Sequence, residues 1–304
     1  MMGEGFSPRP LTRETRRSDP RSDIAGDVSS LVVLLRQHDR DRFQTALFAP
    51  ARQRQALFAL YAFNYEIARV REIVREPMLG QIRLQWWREA IAAAFAGEAP
   101  RQHEVTVPLT AAIRELSLSR EHFDRLIDTR ERDLDPEPPA NMAALESYAE
   151  GSSAALVLLA LEILGARHAA AREAGRTVGI GYALAGLLRA MPFHAAAGRC
   201  YIPADLAGST GLDLRDYAAR KSGPALRAAA AEIAASANRQ LKAAHAHRRA
   251  IPRTATPAML PAVIADRFLT QLERADYDPF DRKLALPDAL QSWRLAAAAL
   301  LHRY

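Results

Sequence analysis

Apolar residues recur every three to four positions from about residue 27 to the C-terminus, which is the spacing of amphipathic α-helices. No stretch of any length shows the strict alternation of apolar and polar residues that indicates a strand. Prolines and polar capping residues divide the pattern into about ten helices. It predicts one short helix that ends near residue 35, a second that begins at 39 or 41, and further helices over about 51–76, 77–96, 106–118, 119–132, 141–164, 168–191, 224–250, 257–274 and 287–302.

Polar residues predict several of the helix starts and loops. Asp39 or Asp41, Ser119 and Asn141 stand where an N-cap side chain is expected. The proline-rich run 135–139 predicts a loop because proline removes a backbone donor, and Gly-Ser-Thr-Gly at 208–211 predicts another. Since no repeat or long linker divides the pattern, we expect one all-α domain over residues 28–304, preceded by a disordered tail over residues 1–27.

The composition supports a helical protein and excludes several other classes. The chain has 61 alanines and 38 arginines among 304 residues, and both residue types favour helices. A lone cysteine, Cys200, excludes a disulfide framework and a multi-cysteine metal site. No run approaches the roughly 18 apolar residues that a membrane-spanning helix needs, and the N-terminus lacks a secretory signal, so we expect a cytoplasmic protein. The net charge of +6 comes without interleaved aromatic and basic residues, so no nucleic-acid partner is predicted.

The common catalytic motifs are missing, and no catalytic residue or metal site is predicted. One way for a helical bundle to hold a diphosphate is to place aspartates four residues apart on facing helices, where they bind Mg²⁺. The two long helices expected to face each other carry only one carboxylate and one imidazole at such positions. The residues are Asn64, Ala68 and Glu72 on the first helix and Gly186, Ala190 and His194 on the second.

Two segments nevertheless resemble motifs of the squalene and phytoene synthases. The run Ala-Leu-Phe-Ala-Leu-Tyr-Ala-Phe at 56–63 is similar to the approach to the first motif of that family, which continues into Asp-Asp-x-x-Asp. In this chain Asn64 follows the run, Ala68 and Arg69 occupy the positions of the aspartate pair, and Glu72 that of the third aspartate. Arg69 places a positive charge at a position where the family binds cations.

The second motif is degenerate in the same way. The run at 181–189 resembles the approach to Arg-Asp-x-x-Glu-Asp, of which only Arg189 matches. Ala190 replaces the aspartate, and Phe193 and His194 replace the Glu-Asp pair. The sequence Gly-Arg-x-Tyr-x-Pro that follows in the family is intact at 198–203 and contains Arg199 and Tyr201.

Further segments are similar to the non-catalytic complex I assembly factor branch of this superfamily and its bacterial relatives. They lie at 62–66, 72–76, 82–88, 189–194 and 291–294. The resemblance implies an isoprenoid-synthase-like helical bundle around a central cavity, without a cofactor. It also implies a role in the assembly of respiratory NADH dehydrogenase, with a complex I subunit or assembly intermediate as the partner. The protein would lie peripherally at the inner membrane face, or in the matrix of a mitochondrion.

Two alternatives remain open at this stage. Instead of an assembly factor, the chain could be a divergent prenyltransferase that uses Mg²⁺ and isoprenoid diphosphates, or a protein that binds a prenyl or lipid chain in the cavity. Arg69, Arg199 and Tyr201 are candidate contacts for an anionic ligand, since arginine binds phosphates in a bidentate manner. Each of them has a structural alternative, such as an ion pair of Arg69 with Glu66 or Glu72 at helical spacing.

Overall fold

The computed structural model describes residues 30–74 and 76–304, and the predicted tail at 1–27 lies outside these ranges. All regular structure within them is helical. Short 3-10 turns occur at Arg132–Leu134, Arg248–Ala250, Arg253–Ala255 and Arg282–Ala285, and a π-turn at Glu150–Ala154. The helices are α1 (30–38), α2 (Arg40–Ala46), α3 (Ala51–Ala68), α4 (Val70–Ile73), α5 (Pro77–Ala96), α6 (Thr106–Leu116), α7 (Arg120–Glu131), α8 (Met142–Ala149), α9 (Ala155–Ile163), α10 (Ala169–Arg189), α11 (Met191–Ala196), α12 (Ala204–Thr210), α13 (Leu214–Ala218), α14 (Pro224–Ala246), α15 (Thr256–Met259), α16 (Pro261–Arg274) and α17 (Gln291–Leu301).

Helix α10 lies at the centre of the bundle and is buried along most of its length. It packs against α14, α16, α9 and the π-turn that precedes α9. A glycine permits the closest of these approaches, because a Cβ at Gly179 would lie only 2.2 Å from the Cα of Ala154. The core therefore fixes the C-terminal end of α10, where the degenerate second motif lies.

Helix α3 is the other strongly buried helix, and it packs against α6, α9 and α2. Its apolar residues fill the core from Ala56 to Phe63, and Phe63 packs edge-on against Trp87 of α5 with ring centroids 5.4 Å apart. Trp87 is therefore a core residue, while the neighbouring Trp86 is half-buried. The degenerate first motif lies at the C-terminal end of α3.

Most predicted helix starts are confirmed, and the predicted caps have different outcomes. Asp39 accepts a hydrogen bond from the backbone N–H of Arg42, and Asn141 accepts one from the next turn of its helix. Ser119 precedes α7 but makes no capping bond, because its hydroxyl donates to the carboxylate of Glu162 at 2.5 Å. The Ser119 hydroxyl, which local spacing predicts as a helix cap, therefore bonds to a carboxylate on a distant helix.

Several predicted helix boundaries and loops are wrong. The helix predicted over 51–76 stops at Ala68, resumes as α4 and ends at Ile73. The helix predicted over 141–164 is interrupted by the π-turn. The loop predicted at 208–211 is mostly helical, because α12 runs to Thr210 and ends at Gly211, whose φ of +72° suits a helix C-terminus. The Thr210 hydroxyl, which was expected to favour a loop, donates to the backbone carbonyl of Leu206 one turn earlier in this short helix.

Candidate functional site

A cavity of about 810 Å³ lies at the C-terminal end of α10. Its walls come from α10, α11, α16, α17 and the segment 279–288. Three residues of the degenerate second motif, Arg189, Ala190 and Phe193, line it. Three positions of the second motif therefore face open space, whereas His194 does not line this cavity.

The cavity is apolar on its inner side and basic at its rim. Val263, Ile264 and Phe268 of α16 and Leu295 of α17 form apolar wall, whereas Arg267 and Arg294 share the carboxylate of Asp288. The Nε of Arg267 is buried and has no hydrogen-bond partner. Such a cavity suits a ligand with an apolar chain and an anionic or polar end.

None of the first-motif residues lines this cavity. Asn64 is buried with its side-chain oxygen unpaired, and Ala68 is half-buried. Arg69 forms an ion pair with Glu66 at 3.3 Å and lies over the ring of Tyr65. Glu72, the one carboxylate left at the motif positions, is exposed on α4.

Helix α2 makes polar contacts with the second-motif helix α10 and with α17. Asp41 accepts hydrogen bonds from Arg189 at 2.8 Å, from the Tyr182 hydroxyl at 3.2 Å and from Gln291 at 2.9 Å. Burial opposes ionisation of Asp41, but the positive charge of Arg189 and the three donors outweigh it, and its pKa lies below the usual value. Arg189 is thus neutralised by a carboxylate of the same chain.

The neighbouring Arg42 is buried between α3 and α10. It forms an ion pair with Asp39 at 2.9 Å and lies over the ring of Tyr182, with 5.2 Å from the guanidinium carbon to the ring centroid. Burial raises the pKa values of the nearby Tyr61 and Tyr182, so both phenols stay neutral. Sequence reasoning treated Asp39 and Asp41 only as helix starts and missed this cluster. The sequence did contain an indication of it. Residues 39–42 are all charged, and four consecutive residues at the start of a helix cannot all point to solvent.

A second buried polar cluster surrounds Asp133. Its carboxylate accepts hydrogen bonds from the hydroxyls of Tyr148 and Tyr201, both at 2.8 Å, and from Arg130 at 3.2 Å. Arg199 donates to the backbone carbonyl of Asp133 at 2.6 Å. Burial and the Asp133 charge raise the pKa of Tyr201 to about 12, so its hydroxyl remains a donor.

His194 lies against this cluster, with its ring 4.7 Å from that of Tyr201. Burial and the nearby charge of Arg199 lower the pKa of His194 to about 4, so the imidazole is neutral at pH 7. A smaller cavity of about 290 Å³ borders Tyr148, Arg199 and Tyr201 next to the proline-rich loop. Arg199 and Tyr201, which are predicted anion contacts, thus hold Asp133 and also reach a cavity wall.

The residues at the motif positions do not fit a magnesium cluster. Ala68, Ala190 and Phe193 offer no ligand, Arg69 is a cation, and Glu72 is exposed. Across residues 30–74 and 76–304 no group of three or more His, Cys, Asp or Glu side chains is arranged to hold a metal ion. No chemical step through a metal is therefore derived for this site.

Comparison with known proteins agrees with this arrangement of helices and motifs. The family model of squalene/phytoene synthase matches residues 35–294. The chain belongs to the squalene/phytoene synthase family. The resemblance inferred from the two motifs is thereby confirmed, and so is the all-α fold.

Within the family, the chain is similar both to assembly factors and to synthases. NADH dehydrogenase (ubiquinone) complex I, assembly factor 6 of Mus musculus is 32% identical over 278 residues, which cover 89% of this chain and 83% of that protein. Presqualene diphosphate synthase of Rhodopseudomonas palustris is 29% identical over 168 residues, covering 55% of this chain and 59% of that protein. The crystal structure of squalene synthase HpnC from Alicyclobacillus acidocaldarius superposes with a TM-score of 0.75 at 23% identity and covers 85% of this chain and 97% of that one. This last likeness concerns the fold alone.

Proposed function

We propose that this chain is a non-catalytic member of the squalene/phytoene synthase family that acts in the assembly of respiratory complex I. The observation that carries the proposal is the state of the two motifs. Of the family's acidic positions only Glu72 keeps a carboxylate; the others hold Ala68, Arg69, Ala190, Phe193 and His194. Arg189 is neutralised by Asp41 within the chain. The similarity to assembly factor 6 over most of both chains supports the same role.

The partner in this proposal is a complex I subunit or an assembly intermediate. No helix in the described ranges is both long and apolar enough to cross a bilayer. We therefore place the protein peripherally at the membrane surface where complex I is built, on the cytoplasmic side of a bacterial inner membrane or on the matrix side in a mitochondrion.

The cavity at the end of α10 is the proposed site for a prenyl or lipid chain. Ile264 and Phe268 offer an apolar wall, and the buried Nε of Arg267 has no hydrogen-bond partner, although it lies 3.9 Å from the carboxylate of Asp288. Such a ligand places its chain on the apolar wall and its polar end near the arginines.

The test is deletion of the gene in its native host. We expect loss of assembled NADH dehydrogenase on native gels, unchanged isoprenoid content, and rescue by the wild-type gene. A Glu72→Ala gene should rescue equally well, because its side chain is exposed and would matter only for metal binding. Unchanged complex I after deletion would refute the proposal.

The enzymatic alternative is tested with the purified protein, Mg²⁺ and farnesyl or geranylgeranyl diphosphate. We expect no product. Turnover that Glu72→Ala abolishes would show a divergent prenyltransferase and would overturn the non-catalytic assignment. Diphosphate binding without turnover would instead support a ligand role for the cavity.

A further inference from the structure

The outward face of α17 is apolar. Leu295 and Ala298 face the core, while Trp293 is 75% exposed and Leu300 is 78% exposed. The helix contains one charged residue, Arg294, and this half-buried side chain is engaged by Asp288. A surface helix normally places its charges outward, so the polarity of α17 is reversed.

This apolar face continues beyond the helix. Leu290, just before α17, is 55% exposed, and Leu301 at its last position is 62% exposed. At helical spacing these residues lie on the same side as Trp293 and Leu300. Several large apolar side chains that are exposed side by side indicate a surface that binds a membrane or another molecule.

Cations flank α17 on both sides. On one side, Arg282 stands on the rim of the large cavity, and Lys283 follows it; both are exposed. On the other side, Arg36 and Arg40 line a groove together with Ser292 of α17. Among the described residues these four cations have no ion-pair partner. Their charge is therefore available to an anionic surface.

Another exposed apolar group has a different electrostatic setting. Met78 and Ile82 at the start of α5 are 68% and 60% exposed, and close to them in the chain the exposed carboxylates of Glu72 and Glu76 outnumber the exposed Arg83. Anionic lipids repel carboxylates and attract arginine and lysine. The charge pattern thus favours α17, and the α5 group serves as a matched control.

We propose that the outward face of α17, flanked by these cations, docks on a bilayer surface that contains anionic lipids. Trp293 and the leucines enter the interfacial layer, and the four cations contact lipid phosphates. Gln291, Arg294 and Leu295 of the same helix line the large cavity. The inference deepens the proposed membrane location and rests on it, but it does not depend on a role in complex I assembly.

The test is co-sedimentation of the purified full chain with vesicles of phosphatidylcholine, with or without phosphatidylglycerol. We expect binding to the anionic vesicles and weakening of that binding by salt. Trp293→Glu with Leu300→Glu should reduce partitioning at least about tenfold, and so should Arg282→Glu with Lys283→Glu. Met78→Glu with Ile82→Glu should leave it within about twofold. Thermal unfolding of each variant shows whether the fold is retained.

Tryptophan fluorescence gives a second measurement that does not need a destabilising change. Brominated lipids should quench the emission of wild-type protein, and Trp293→Phe should remove most of this quenching. The other two tryptophans, Trp86 and Trp87, lie on α5 and are half-buried and buried. Quenching that persists in Trp293→Phe would contradict insertion of α17.

The outcomes separate this inference from the proposed function. A wild-type chain that binds neither kind of vesicle overturns the inference together with the membrane location. Vesicle binding that the α17 substitutions leave unchanged overturns the inference alone. If vesicles do not bind but the α17 substitutions still lower complex I in the host, the face meets a protein and the inference is wrong. Binding through α17 combined with intact complex I after gene deletion would refute only the assembly role.

Discussion

Replacement of Asp133 by alanine should be among the most damaging single substitutions outside the apolar core. The carboxylate is almost fully buried and accepts hydrogen bonds from Tyr148, Tyr201 and Arg130. Removing it leaves two phenol hydroxyls and one guanidinium without their acceptor. The guanidinium matters most, because burial of an unpaired charge is far more costly than burial of an unpaired hydroxyl.

The expected loss of stability follows from these contacts. Removing one partner of a buried ion pair costs about 3–5 kcal/mol. The two hydrogen bonds from the tyrosine hydroxyls belong to the same network, so their loss is included in this figure and not added to it. For a chain of this size, each kcal/mol lowers the melting temperature by about 2–4 °C. Asp133→Ala should therefore melt about 10 °C below the wild-type protein.

Urea unfolding and thermal melts of purified variants measure this effect. Asp135→Ala is the control, because this exposed neighbour bonds only to a nearby backbone N–H, and it should cost less than about 1 kcal/mol. Combining Asp133→Leu with Arg130→Met should recover much of the loss, since both charges are then removed together. A loss below about 1 kcal/mol in Asp133→Ala would refute the view that this cluster is a tightly coupled buried network.

Two further predictions concern packing and pH. Gly179→Ala should destabilise the protein by about 3 kcal/mol, because its new methyl group meets the backbone of Ala154, whereas Gly186→Ala on the same helix has open space and should be neutral or stabilising in urea unfolding. His194 has a pKa of about 4 in the folded chain, against 6.5 for the free side chain. As the pH drops, the unfolded state therefore binds the proton first, and the stability of the fold decreases between about pH 6.5 and pH 4. The wild-type protein should lose about 2 kcal/mol between pH 7 and pH 5 that His194→Gln does not lose, and equal losses in both would contradict the buried neutral imidazole.

The fold class followed from the sequence because apolar spacing alone distinguishes helices from strands. Local rules also placed the caps at Asp39 and Asn141, where the bond joins residues three apart. They failed at Ser119, whose partner Glu162 lies 43 residues away. They also failed at 208–211, where glycines that favour a turn occupy the last turn of a helix.

The candidate site was less accessible to sequence reasoning for the same physical reason. The motifs identified Arg189 and Ala190, and both line the cavity. However, the carboxylate that neutralises Arg189 is Asp41, and the amide that completes the cluster is Gln291, 250 residues from Asp41. A pairing between such distant residues depends on how α2, α10 and α17 pack together, which spacing along the chain does not encode. For the same reason the free cations beside α17 became visible only in the structure.

The alanine in the second motif and the internal ion pair both bring the cavity wall closer to neutral charge. Alanine at position 190 removes a negative charge from the wall, and Asp41 cancels the positive charge of Arg189. The wall at the end of α10 is thus close to neutral and largely apolar, while Arg267 and Arg294 outnumber Asp288 at the rim.

A site that binds a cluster of divalent cations needs an excess of carboxylates, and this cavity has an excess of guanidinium groups instead. One altered residue would not reverse that balance, because the only carboxylate left at the motif positions is the exposed Glu72, and Asp41 is already engaged by three donors. The charge distribution therefore favours an apolar chain or an anionic lipid over a metal-bound diphosphate.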